Sequence, residues 1–247
     1  MRRRAPSSPP RAPVRAGGST LRGPAEREPA RARLRIVGGS LGGRLIELAV
    51  RTGSVRPTSD RLREAIASAL DARDGIRDRN VLDLFAGSGA LAFEALSRGA
   101  RAAVLVDSDP VVLRAVESNA ASLGIADRVR TQLADLLTSS SRAATALKPL
   151  AESPFDLVFC DAPYARVAEL PPLFAFLFDA GVVAPHALVV VERPANLAPS
   201  PPATTLELLR DYRHGSSAAG LFASPSTVLR AGSGQPIAPD GVPSLDR

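Results

Sequence analysis

Four aspartates stand at the ends of short apolar runs, and these are the residues of the chain best placed to do chemistry. Asp83 lies inside the run 81–85, which passes directly into Ala86-Gly87-Ser88-Gly89. Asp107 closes the run 102–106, Asp135 falls just past 129–133, and Asp161 follows 155–160. An apolar run, a glycine-rich turn and then a helix-like stretch from Ala90 to Ser97 let the backbone closely approach a nucleotide-like ligand. A carboxylate at the end of the next strand, as Asp107 is, can hold ribose hydroxyls. Gly87-x-Gly89-x-x-Ala92 with Asp107 twenty residues on would by itself suit a NAD-dependent oxidoreductase. Asp83 argues otherwise, because a carboxylate there can serve a cationic amino group, whereas a pyrophosphate would gain nothing from it.

The second constellation is Asp161-Ala162-Pro163-Tyr164, which puts a carboxylate, a stiff bend and an aromatic ring at one strand mouth. It suits an exocyclic amine on a planar base. Asp161 and the Ala162 carbonyl can accept its two N–H bonds, and this aims the nitrogen lone pair at an electrophile. Tyr164 offers a stacking face, worth roughly 1–3 kcal/mol per base. Alone, the tetrapeptide would pass for a turn after a buried strand. Beside the glycine-rich turn it reads as an acceptor site.

The elements that must position these residues alternate. Strands are expected at 81–85, 102–106, 129–133, 155–160 and 188–192, with helices at 90–97, 110–123, 138–150 and 173–180 between them. Pro110 suits the first turn of its helix. Two final strands are expected at 206–213 and 218–229. Repeated β-then-α units predict an α/β fold, a doubly wound parallel sheet with helices on both faces and ligands beyond the carboxyl ends of the strands. Ahead of it, 34–48 carries two short strands with Gly pairs between them, a small hairpin. Pro57, Ser59 and Asp60 can open a helix running to about Leu70. The expected boundaries are a disordered basic arm over 1–33, one domain over 34–230 with its hairpin region at 34–56, and a frayed tail over 231–247.

Charge follows the same division. Residues 1–33 hold nine Arg against Glu26 and Glu28, a net of +7, while the whole chain is +6. The remainder is therefore −1, so the basicity belongs to the arm, which could add sequence-independent attraction to phosphates. No apolar run is long enough to span a bilayer. Met1-Arg-Arg-Arg4 has no apolar stretch behind it, and a single cysteine, Cys160, excludes an internal disulfide framework. The expectation is a cytoplasmic protein without a membrane partner. Cys160 reads as core packing, and no His/Asp/Glu cluster has metal-ligand spacing.

Asp83-Leu-Phe-Ala-Gly-Ser-Gly89 together with Asp161-Ala-Pro-Tyr164 resembles the S-adenosylmethionine-dependent amino-methyltransferases of Rossmann-like fold. Arg35-Ile-Val-Gly-Gly39, Gly43-Arg44 and Arg56-Pro-Thr-Ser-Asp-Arg-Leu-Arg-Glu64 narrow the resemblance to the bacterial 16S rRNA guanine-N2 methyltransferases of the RsmD type, over about 34–230. The resemblance implies S-adenosylmethionine as cofactor, held at its methionine end by Asp83 and the backbone of Phe85, Ala86, Gly87, Ser88 and Gly89. It implies Asp107 on the ribose, Asp135 at the adenine amino group, and Asp161, Pro163 and Tyr164 as the acceptor site. Arg35, Arg44, Arg56, Thr58, Arg61 and Arg63 would meet RNA, with Glu64 beside them. The partner it implies is 16S rRNA within an assembling small ribosomal subunit, met by a monomer. Two positions depart from the family's pattern. Ala162 stands where Pro is usual, a loosening of order 0.4–1 kcal/mol rather than a loss of activity. His214-Gly215 stands where Tyr-Gly is usual, and His214 is expected in a partly buried loop. A DNA adenine-N6 enzyme and a non-catalytic RNA-binding module are the competing readings beside the NAD enzyme.

Overall fold

The computed structural model describes residues 32–49, 60–150 and 153–224. The chain divides into Met1–Ala30 and Arg31–Arg247, and every described residue belongs to the second unit. The expected basic arm up to residue 31, Arg56, Thr58 and the expected tail over 231–247 lie outside the described residues.

A seven-stranded sheet carries the fold. Its strands are β3 (Asn80–Leu84), β4 (Ala102–Asp107), β5 (Val129–Leu133), β6 (Phe155–Cys160), β7 (Val183–Pro194), β8 (Glu207–His214) and β9 (Ser217–Ala223), in the order β5-β4-β3-β6-β7-β9-β8. β1 (Arg33–Arg35) and β2 (Leu45–Glu47) form a separate antiparallel pair. The helices are α1 (Asp60–Asp71), α2 (Ala90–Ser97), α3 (Pro110–Leu123), α4 (Ser140–Leu147) and α5 (Leu170–Asp179). Apolar residues of α1, α2 and α3 share one core with Val81, Leu105, Phe159 and Val190, while α4 and α5 share another with Leu84, Val158, Cys160 and Val191. Alternate residues of each strand thus feed opposite faces, and the near-continuous apolar runs follow from burial on both. The fold is Rossmann-like, as expected.

The structure corrects several sequence expectations. The sheet is mostly rather than wholly parallel, because β9 pairs antiparallel to both β7 and β8. The turn at Gly215-Ser216 is too short to allow anything but a hairpin between β8 and β9. His214 is the last residue of β8, opposite Ser217, and not a loop residue. β7 begins at Val183 rather than 188, and α5 begins at Leu170 rather than 173, since Pro171 and Pro172 fall in its first turn, where a missing N–H costs nothing. α4 starts at Ser140, after the Leu137 and Thr138 amides have been taken by Asp135.

The glycine pairs of the hairpin dock it on the domain. Buried Glu94 of α2 accepts the Val37 and Gly38 amides and stands 3.5 Å from Arg63 and 3.7 Å from Arg98. The Ser97 carbonyl accepts the Ser40 amide at 2.7 Å, and the Ser97 hydroxyl accepts the Leu41 amide at 2.9 Å. Asn119 of α3 exchanges two bonds with the Glu47 backbone, at 2.8 and 2.9 Å. Gly39 has φ +76°, and a Cβ there would come within 2.1 Å of the Ser97 carbonyl oxygen. Gly39→Ala is therefore expected to cost about 2–4 kcal/mol by overpacking and backbone strain together. A urea midpoint equal to that of the wild type would contradict this docking.

Candidate active site

The glycine-rich turn is built by its own backbone. After β3 the Ala86 amide donates to the Val106 carbonyl at 2.9 Å and the Gly89 amide to the Ala86 carbonyl at 2.7 Å. Phe85 is forced to φ +61°, uncommon for a residue with a side chain and a form of strain that gathers at functional sites. Gly89 caps the amino end of α2 at φ +73°, and a Cβ there would come within 2.8 Å of Leu105 and 2.9 Å of Phe93. All eight residues of α2 are buried, so its amino end faces the sheet's carboxyl edge from inside the protein.

Asp107 locks this turn to the next strand. One carboxylate oxygen accepts the Gly87 amide at 3.0 Å and the other the Asp109 amide at 2.9 Å. Each oxygen keeps a second lone pair for a hydroxyl ligand. Asp135 accepts the Leu137 and Thr138 amides, both at 3.1 Å, and the Thr138 hydroxyl at 2.7 Å, which together hold its carboxyl below the usual range. Its 4.0 Å approach to Arg166 joins the β5–α4 connection to the turn Tyr164–Glu169.

A cleft of about 500 Å³ joins these parts. Phe85, Asp107, Asp135, Asp161, Pro163 and Tyr164 line it, over an apolar floor that includes Ala134, Leu136 and Leu137. The structure therefore gathers the Asp161–Tyr164 tetrapeptide with Asp107 and Asp135, taken from distant stretches of sequence, in one place. Tyr164 is 39% exposed, with its hydroxyl 3.0 Å from that of Ser217. Asp83 is buried, and burial pushes its carboxyl well up; the Ala92 amide opposes this, and Asp161 and Asp107 add to it. Burial and then the charge of Glu192 raise Asp161 likewise. Burial also raises the Cys160 thiol, so this sulfur is core rather than nucleophile.

The basic residues separate. Arg35, Arg44 and Arg61 are exposed, Arg35 bonding the Gly43 carbonyl and Arg44 the Ser122 carbonyl, both at 2.9 Å. Arg63 corrects the expectation of an RNA contact. It is 1% exposed, bonds the Arg35 carbonyl at 3.1 and 3.2 Å, and pairs with Asp60 and Glu94. Its work is to hold the hairpin to α1 and α2. Sequence reasoning assigned no role to Glu192, buried in β7 beside Asp161, or to Arg166, which lines the cleft. The signal for Glu192 was there, since it closes Val189-Val190-Val191 as Asp107 and Asp161 close their runs.

An acidic pocket beneath a glycine-rich turn, opening on an apolar floor and an Asp-Ala-Pro-Tyr mouth, is the arrangement of a Rossmann-like methyltransferase. The family described as Conserved hypothetical protein 95 matches residues 34–223. Ribosomal RNA small subunit methyltransferase D of Escherichia coli K12 is 36% identical over 159 residues, covering 64% of this chain and 74% of the relative. The Haemophilus influenzae protein of the same name is 32% identical over 164 residues, covering 66% and 80%. Among solved structures, the Escherichia coli methyltransferase yhhF superposes with TM-score 0.61 at 32% identity, covering 78% of this chain and 98% of that one. The chain belongs to the Conserved hypothetical protein 95 family, the family of small subunit methyltransferase D.

S-adenosylmethionine is the cofactor, and the residues present fit it. Buried carboxyls short of positive charge suit a ligand carrying a sulfonium and an ammonium, and the apolar floor suits an adenine ring. A proton-binding consequence follows. In the cofactor-free chain Asp83 keeps its proton to higher pH than an ordinary carboxyl. A cation favours its charged form, so cofactor binding expels a proton and affinity rises with pH through that raised range. Calorimetry in two buffers of different ionisation heat should show proton release; uptake would contradict the assignment.

Proposed function

We propose that the chain transfers a methyl group to the exocyclic N2 of a guanine in 16S rRNA, working as a cytoplasmic monomer on an assembling small ribosomal subunit. The observation that carries this reading is the presence of Asp161, Pro163 and Tyr164 in the same cleft as Asp107 and Phe85. The curated relatives' names support ribosomal RNA as substrate. No helix among the described residues is long and apolar enough to cross a membrane.

When bound, the cofactor supplies an electrophilic methyl carbon on a sulfonium. The chain's residues do the rest by alignment. Asp83 and the backbone from Phe85 to Gly89 hold the methionine end, Asp107 holds the ribose, and Asp135 lies at the adenine edge. The target guanine is turned out of its RNA context into the mouth and stacks on Tyr164. Its N2 hydrogens meet the Asp161 carboxylate and the Ala162 carbonyl, so the lone pair points at the methyl carbon. After transfer N2 carries a surplus proton, and Asp161, whose proton affinity is raised, is suited to take it. Ala162, buried before Pro163, supplies the same carbonyl that proline would. Arg35, Arg44 and Arg61, with Arg56 and Thr58 ahead of α1, track the RNA backbone.

The test is methyl transfer from labelled S-adenosylmethionine to small-subunit particles and to naked rRNA, both from cells lacking this chain. Guanine N2 labelling, stronger on the particle, is expected. Label on adenine would turn the reading to an adenine-N6 enzyme, and no label would turn it to a binding module.

A further inference from the structure

Glu192 lies within β7, two residues before its end, beside Asp161. In the parallel ladder of β6 and β7, Cys160 stands opposite Val191. Asp161, just past β6, and Glu192, still within β7, therefore stand at one level. Phe159 and Val190, one step back, share a core face, and strand alternation sets the two carboxyls along that same face. Glu192 is 3% exposed. Its charge raises the proton affinity of Asp161, an effect that requires the two groups to be close.

Asp161 lines the mouth, and a second carboxyl directly beside it is more than one amine requires. A single acceptor would serve an exocyclic amino group on any base. A second becomes useful when the ligand presents another N–H next to the amine, as guanine does at N1. Adenine shows an acceptor nitrogen beside its amine, which a carboxylate would repel. We propose that Glu192 is the residue that selects the base, accepting guanine N1–H while Asp161 accepts N2–H. This rests on guanine N2 as the methyl acceptor and goes beyond it by naming what rejects other amines.

The experiment uses small-subunit particles assembled on rRNA ligated from a synthetic segment. The target nucleotide, located by mass mapping, is either guanine or 2-aminopurine, which keeps the N2 amine but lacks the N1 hydrogen and O6; the Glu192→Gln comparison isolates the N1 position. Wild-type enzyme should favour guanine by about 30-fold or more in kcat/KM, the scale of a lost hydrogen bond to a charged group. Glu192→Gln, whose amide can donate to the bare N1, should bring that ratio to within about threefold; Glu192→Asp should keep it above about tenfold. Unfolding and S-adenosylhomocysteine binding establish that each variant is folded. A Gln variant slowed equally on both bases, with the ratio kept, would make Glu192 a merely structural neighbour and overturn the inference. Equal use of the two bases by wild type would overturn it too, without needing any variant. Wild type that labels neither base would instead bring down the guanine-N2 reading, and the inference with it.

Discussion

Asp161→Ala is expected to lower turnover on the ribosomal substrate by roughly 10²- to 10³-fold, the scale on which loss of one oriented hydrogen-bonding group in a closed site is felt. Affinity for S-adenosylhomocysteine should stay near that of wild type. The separation follows from placement. Asp161 begins its tetrapeptide just past β6, while Asp107, the proposed ribose ligand, ends β4, with β3 between them. Removing the Asp161 carboxylate leaves the glycine-rich turn and its bonds to Asp107 untouched. Single-turnover kinetics and calorimetry read the two quantities separately. Equal loss of both would place Asp161 in cofactor binding instead. Asp161→Asn makes the finer comparison: it keeps an oxygen for the amine but cannot take a proton, and should sit between wild type and Ala.

Asp107→Ala has the opposite expected signature. Its carboxylate is the described link between the Gly87 amide and the Asp109 amide, so its loss frees the turn as well as removing the proposed ribose ligand. Two ribose hydroxyls bonded to a charged group, at about 1.5–3 kcal/mol each, set a loss in cofactor affinity of at least about 10²-fold. Turnover extrapolated to saturating cofactor should fall far less. Affinity within a few-fold of wild type would remove Asp107 from the cofactor site. Asp107→Asn separates the contributions, because it retains one acceptor for the turn but loses the charge.

How far the sequence could be read depended on how local the determining physics is. α2, α3, β5 and β6 match expectation to the residue, since each is bounded by local signals such as Pro110, Gly124 and the glycine-rich turn. The acceptor tetrapeptide and Asp107 could be linked through the rule that ligands gather at strand carboxyl ends. What escaped reading is set by tertiary contact. Arg63 looks like any arginine on an amphipathic helix until the hairpin folds over it and Glu94 receives it. The Gly38-Gly39 pair reads as a ribbon turn, yet its work is to let the backbone meet Ser97. β7 extends to twelve residues because Val183 pairs with Phe155 across an irregularity that no local pattern announces. Glu192 was visible as the end of an apolar run, but its pairing with Asp161 exists only once β6 and β7 are neighbours.

The proposed activity is transfer of one methyl group to the N2 of a guanine in small-subunit rRNA. Mass mapping of that rRNA from cells with and without the chain tests it most directly. One N2-methylguanine is expected in the first and not in the second, restored by the wild-type chain and not by Asp161→Ala. Identical modification maps in the two strains, or a difference confined to a nucleotide other than guanine, would contradict it.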